Sequence, residues 1–412
     1  MVYPYTNLTM RVTAAMLPAL LCLLSCHPAP PATDASETSG SPNLQRHALG
    51  PSLGNYDMLT VAPDGSHAIR VRITRRYPSE NANPAQFTVM DAASSIVLAA
   101  VDVPAIVPPL TPSWTGNDIR AARFCNSGNY LMIFGEKGVF YIIDLTNSTL
   151  QSTFALDLGD QNPARDDINT PLGLGAACAA NAPVAVVALA RGPYGVGTLK
   201  IFDIATGRQT GSIPADLAPY GYTNLSISPA GITAALLSER QPPQKKPDLV
   251  LFDLVHHRLL KSITTETGEL QAAFLGESRI AVAGDSLNAN SIRVFDTHSG
   301  TLKQTFQAPS ESARASVETS ADGRTLLAYT GIEFNRSGAL QIQRAGFTLW
   351  DTVTGKVVAH SPALLVQRTD ARPLDRSLLE SWRPAFNLSQ NGRGVLVSWP
   401  GWSQPSELYT VR

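Results

Sequence analysis

Serine and histidine are the side chains whose spacing in this 412-residue chain first suggests chemistry. Gly50-Pro51-Ser52-Leu53-Gly54 has the Gly-x-Ser-x-Gly spacing of a nucleophile elbow, which lifts a serine hydroxyl onto a strand-to-helix turn beside a helix N-terminus. Pro51 sits inside it and no helical pattern follows, so acyl transfer is not expected there. Gly284-Asp285-Ser286-Leu287 and Asp253-Leu254-Val255-His256 spell a second pair of esterase-type blocks, but in reversed chain order. His256 and His257 are adjacent and so point to opposite sides of a strand or turn, while His67, His298 and His360 are scattered. No His-x-x-x-His, Cys-x-x-Cys or calcium-loop pattern occurs. The expectation is a non-enzymatic chain with no catalytic residue, no metal and no cofactor.

Recognition chemistry is better represented. Trp114, Tyr220, Tyr222 and Trp382, together with Tyr194, Trp399 and Trp402, fall in or beside long links between apolar runs, accompanied by Arg191 and Arg376. Tryptophan, tyrosine and arginine are the residue types enriched at binding hot spots. These nine are the candidate partner-binding residues. Formal net charge is −1 and only 16% of residues are charged, so no basic excess points to nucleic acid.

The elements that must hold these links repeat. Six apolar runs end in a hydrophobic residue followed by aspartate: Met90-Asp91, Ile143-Asp144, Phe202-Asp203, Phe252-Asp253, Phe295-Asp296 and Trp350-Asp351. The aspartates are 43 to 59 residues apart, close to the period of a four-stranded propeller blade. Turn sequences such as Ala62-Pro63-Asp64-Gly65, Ser228-Pro229-Ala230-Gly231 and Ser320-Ala321-Asp322-Gly323 precede the strand pairs, and a seventh, Ser389-Gln390-Asn391-Gly392, lies near the C-terminus. Seven units of this kind predict an all-β, seven-bladed β-propeller of four-stranded blades. The segment Phe347-Thr348-Leu349-Trp350-Asp351-Thr352-Val353-Thr354-Gly355-Lys356 resembles the bacterial WD-repeat-like propellers, and its Asp-x-x-Thr-Gly-Lys ending also resembles quinoprotein-type repeats. That resemblance implies that the long b–c and inter-blade links share one face of the ring. The seventh unit stops after its third strand, so a segment within Leu44–Leu53 is expected to complete that blade and close the ring.

The N-terminus carries an address. Arg11, the apolar run Val12–Leu24 and Leu23-Leu24-Ser25-Cys26 resemble a bacterial lipoprotein signal, in which Cys26 takes the lipid after residues 1–25 are removed. With His27 after the cysteine, the resemblance implies the outer membrane. Residues 26–43 are rich in Pro, Ser and Thr and read as a flexible tether, leaving 44–412 for the propeller. Cys125 and Cys178 remain; both read as opening the turns of consecutive units. An export route permits a disulfide, but equivalent positions on neighbouring blades favour two buried thiols, because a bridge needs Cα atoms within ~7 Å. Function is then expected to be scaffolding: an anchored envelope lipoprotein that binds another envelope protein through its long-loop face. A glycan- or peptidoglycan-binding module that stacks sugars on Trp382, Trp399 and Trp402 is the alternative. A channel-centred propeller enzyme is the third reading, with Asp57 and Glu318 as the acidic residues nearest the axis.

Overall fold

The computed structural model describes residues 41, 43–49, 57–74, 85–103, 119–135, 139–155, 175–191, 195–217, 222–238, 248–265, 269–284, 291–307, 315–330, 342–367, 385–398 and 406–412. They fall in one unit, Ser39–Arg412. Among the described residues, twenty-eight strands form seven antiparallel four-stranded sheets, one per blade. The innermost strands, blades 1 to 7, are Asp57–Val61, Ile119–Cys125, Gly175–Cys178, Tyr222–Ile227, Glu269–Leu275, Ala315–Thr319 and Ala385–Leu388. Each touches the innermost strands of its two neighbours around the ring.

Blade 4 shows why apolar runs become these strands. Side chains alternate across a strand. Ala234 and Leu236 therefore join the core shared with blade 3, while Ala235 and Leu237 join the core shared with blade 5. A strand buried on both faces needs apolar residues at consecutive positions, which is the pattern the sequence carries. Seven such cores occur, one between each pair of neighbours.

The recurring hydrophobic–aspartate pair has a structural cause. At each hydrophobic member the pairing with the outermost strand slips by a residue, forming a β-bulge, as at Leu251/Phe252 and Leu349/Trp350. The bulged side chain packs back on the preceding blade; the Trp350 ring lies 5.7 Å from that of Phe306. The aspartate then caps the turn. Asp351 accepts N–H groups from Val353 at 2.9 Å and Thr354 at 2.7 Å. Asp91, Asp144, Asp253 and Asp296 each accept two in the same way.

Turns between the first and second strands interlock between blades. Asn126 donates to the Ala179 carbonyl at 3.0 Å, Asn181 to Pro229 at 2.8 Å, Ala321 to Gln390 at 2.8 Å and Asn391 to Pro63 at 3.0 Å. The Ala230 N–H reaches Glu277 Oε1 at 2.6 Å. Among the described residues the turns between first and second and between third and fourth strands lie on this one face, and the strand ends at the opposite face lead into segments outside the described residues.

Ring closure follows the expectation, within a shorter segment. Leu44–Leu49 pairs antiparallel with Ser406–Val411 as the outermost strand of blade 7. Across this seam the Arg46 guanidinium holds Glu407, with Nε 2.9 Å from Oε1, while the Tyr409 hydroxyl donates to Oε2 at 2.6 Å. Burial, followed by the neighbouring Glu407 charge, pushes the Tyr409 hydroxyl pKa far up, so it stays a donor.

One expectation needs correction. Cys125 and Cys178 are bonded, with Cα atoms 5.6 Å apart. They are not at equivalent positions. Cys125 pairs across its hairpin with Tyr130, and the matching residue of blade 3 is Ala179, whose N–H bonds the Val184 carbonyl. Cys178 lies one rung earlier, opposite Ala185. Equivalent residues would point the same way around the ring; an offset of one turns the two side chains toward each other.

Candidate functional site: the channel and the two faces

Side chains from three blades meet inside the ring. Arg123, on the innermost strand of blade 2, donates from Nη1 to Asn387 Oδ1 of blade 7 at 2.5 Å and from Nη2 to Glu318 Oε1 of blade 6 at 3.2 Å. Blades 2 and 6 are not neighbours, so these bonds cross the channel. Arg123, Glu318 and Asn387 occupy one rung of their strands, opposite Met132, Leu327 and Leu396. The same rung in blades 3, 4 and 5 holds the small residues Ala177, Ser226 and Ala273. Small side chains on one side leave room for a long guanidinium to span to the other.

The chemistry of this cluster is that of a brace. Glu318 has both oxygens engaged, because Oε2 accepts the Leu388 N–H at 2.6 Å. A carboxylate held through both oxygens, one of them on an arginine, is fixed as a structural acceptor between blades. Gln390 adds a second link from blade 7 to the Phe124 carbonyl of blade 2 at 3.1 Å. Among the described residues no group of three His, Cys, Asp or Glu side chains is placed to hold a metal. The sequence reading considered acids and histidines near the axis and so found Glu318 but missed Arg123 and Asn387. Their signal was a polar residue on the same rung of an otherwise apolar innermost strand.

The capped aspartates titrate as structural groups. In Asp253, Asp296 and Asp351 the turn N–H groups of His256, Ser299 and Thr354 lead in holding the carboxyl below its usual range. In Asp91 and Asp144 burial pulls upward, but hydrogen bonds led by Ser94 and Asn147 outweigh it. The Asp253–His256 pair is internal to one turn, with His256 Nδ1 2.8 Å from Oδ2. Its neighbour His257 instead lies against Gly211 of blade 3, so the two histidines diverge.

Of the predicted partner-binding residues, Arg191 ends the second strand of blade 3 and Tyr222 begins the innermost strand of blade 4; both ends open onto the long-loop face. Trp114, Tyr194, Tyr220, Arg376, Trp382, Trp399 and Trp402 lie outside the described residues, as does Cys26.

These features define a class: a seven-bladed β-propeller. The β-propeller domain of Cps50 (Swd1) from Myceliophteria thermophila is similar, with a TM-score of 0.54 and 11% identity over 89% of this chain and all of that domain. No protein-family model matches the chain, and no curated protein matches it in sequence.

Proposed function

We propose that this protein is an exported, lipid-anchored scaffold that binds another envelope protein through its long-loop face, without catalysing a reaction. The observation that carries this reading is the division of labour between the faces. One face is locked turn to turn by hydrogen bonds between blades, and the strand ends at the other lead into the long stretches of sequence that carry the tryptophans, tyrosines and arginines. Long loops on a rigid frame are where recognition concentrates. The disulfide between Cys125 and Cys178 suits an oxidising compartment and so supports export. Engagement of both Glu318 oxygens weighs against a channel-centred enzyme.

The test is cross-linking and capture from membranes, comparing wild type with a Trp382→Ala, Trp399→Ala, Trp402→Ala variant. One envelope protein recovered with wild type and lost with the variant is the expected result. Equal recovery from both would move the site off this face. Glycan fragments without a protein partner would transfer the face to carbohydrate recognition.

A further inference from the structure

We propose that the rim of the tight-turn face is a lipid-docking surface, seating blades 4, 5, 6 and 1 on the bilayer to which the N-terminus is attached. This rests on the anchoring reading above and adds an orientation to it. The observation is where exposed apolar side chains stand. At the position opposite the hydrophobic member of each hydrophobic–aspartate pair, blade 1 carries Val97, blade 4 Leu259, blade 5 Leu302 and blade 6 Val357. Each is 51 to 56% exposed. Turn-tip residues extend the arc, Val353 on blade 6 at 72% exposure and Val255 on blade 4 at 61%. Blade 3 breaks the pattern with exposed Gln209 at the equivalent position. On blade 2 the equivalent Leu150 is packed against the core, so the exposed apolar arc runs from blade 4 round to blade 1 and leaves out blades 2 and 3.

Blade 7 lies inside that arc, between blades 6 and 1, and the N-terminal chain arrives there. Asn43 Nδ2 donates to the Val358 carbonyl at 2.8 Å, and the Ser41 hydroxyl accepts the His360 N–H at 2.9 Å. The chain thus joins the ring alongside blade 6, at the tight-turn end of its outermost strand. The 14 residues 27–40 separate Cys26 from this point, a reach of at most about 50 Å at ~3.5 Å per residue. A lipid at Cys26 consequently holds this side of the rim within reach of the membrane. Exposed Lys303 and Lys356 stand beside the apolar positions, which suits anionic headgroups. Docked so, the long-loop face points away from the bilayer, toward its partner.

Cys125 and Cys178 are bonded, and in the anchored protein Cys22 leaves with the signal and Cys26 carries the lipid, so an introduced cysteine is the thiol that labels. If Cys26 carries no lipid, Cys22 and Cys26 are changed to serine before labelling. A fluorophore sensitive to polarity is attached in the full chain at Val353→Cys, at Leu259→Cys and, as the blade 3 control, at Thr206→Cys. Vesicles of phosphatidylethanolamine with a minor share of phosphatidylglycerol are added. The expected result is a blue shift and quenching by lipid-borne nitroxide at Val353 and Leu259, with neither at Thr206. A Val97→Cys reporter should lose its shift when Val353, Val357 and Leu259 are changed to aspartate, with vesicle partitioning down about tenfold or more. An unshifted rim on vesicle-bound protein overturns the proposal, as does an equal shift at Thr206. A shift that grows with protein concentration without vesicles overturns it in favour of contact between copies. Mass spectrometry of the Cys26 peptide reads lipidation independently; if Cys26 carries no lipid, the anchoring reading fails, and the rim labels still decide docking on the same vesicles.

Discussion

The seam that closes the ring yields the sharpest test. Replacing Arg46 by methionine keeps an apolar stem but removes both guanidinium contacts to Glu407. The Glu407 side chain is 5% exposed and Arg46 59% exposed. Breaking a fully buried pair costs roughly 3–5 kcal/mol, and an exposed pair about 0–1 kcal/mol. An arginine more than half in water beside a buried carboxylate falls between, near ~2 kcal/mol. Glu407 would keep one donor, the Tyr409 hydroxyl. Tyr409→Phe removes a hydrogen bond to a charged group and should cost about 1.5–3 kcal/mol. Changing both Arg46 and Glu407 to methionine leaves no orphaned charge, so the double variant should return to within about 1 kcal/mol of wild type.

Urea unfolding followed by circular dichroism gives the energies, and hydrogen exchange of the Ser406–Val411 amides shows whether the loss is at the seam. The reasoning predicts faster exchange there in Arg46→Met, while the interiors of blades 3 and 4 keep their protection. An Arg46→Met variant as stable as wild type would refute it. So would a double variant no better than the single one, because the cost would then not come from an unpaired buried carboxylate.

Further outcomes follow from the same geometry. Arg123→Ala should cost about 1–3 kcal/mol, read by urea unfolding, because Glu318 and Asn387 lose a partner from across the channel. Replacing Cys125 and Cys178 by alanine removes a cross-link with a sequence separation of 53; chain entropy gives about 4 kcal/mol as the ceiling, measured against wild type in non-reducing urea. At Gly323 φ is +69° and an added Cβ would lie 2.4 Å from the Gly276 nitrogen. Gly323→Ala should therefore separate blades 5 and 6 locally, seen as faster amide exchange in Glu269–Leu275. The capped aspartates have folded pKa values below their ordinary 3.8. Their contribution is thus present above that value and lost as pH falls through the lower folded ones, so the melting temperature should hold above about pH 4 and fall below it.

The blade count and the closing strand were legible because both follow from patterns that burial imposes. A strand between two neighbours must be apolar on both faces, and the hydrophobic–aspartate pair marks a bulge and a capped turn. The six-residue strand Leu44–Leu49 had no repeat signature of its own; it was inferred from the strand missing from blade 7. The disulfide was misread for a definable reason. Turn alignment by sequence placed Cys125 and Cys178 at one position, and an error of one residue reverses a side chain's direction in a strand. Arg123 escaped because its partners, Glu318 and Asn387, are far away in sequence and meet it only when the ring closes. The exposed valines and leucines of the rim were also illegible, since an apolar residue in a strand reads as core until its outer edge is known.

The position of the closing strand bears on the anchored role. If Cys26 holds the protein to a membrane, any pull between bilayer and ring enters through Ser41–Leu44 and reaches the outermost strand of blade 7 first. Antiparallel strands pulled from one end come apart a rung at a time, so the seam would open at the Leu44–Val411 pair and meet Arg46 two residues later. There the load reaches the Arg46–Glu407 contact, a charged pair tied to Tyr409, beyond which lies Leu49 in the core shared by blades 7 and 1. With the attachment at that strand, the Arg46–Glu407 contact would be the first charged pair the load meets. A rim docked on lipid would share that load, so weakening the rim should expose a seam variant: Arg46→Met combined with the rim aspartates should be cleaved by protease within 43–49 faster than either change alone predicts. Additive rates would separate the two features and leave the rim without a mechanical role.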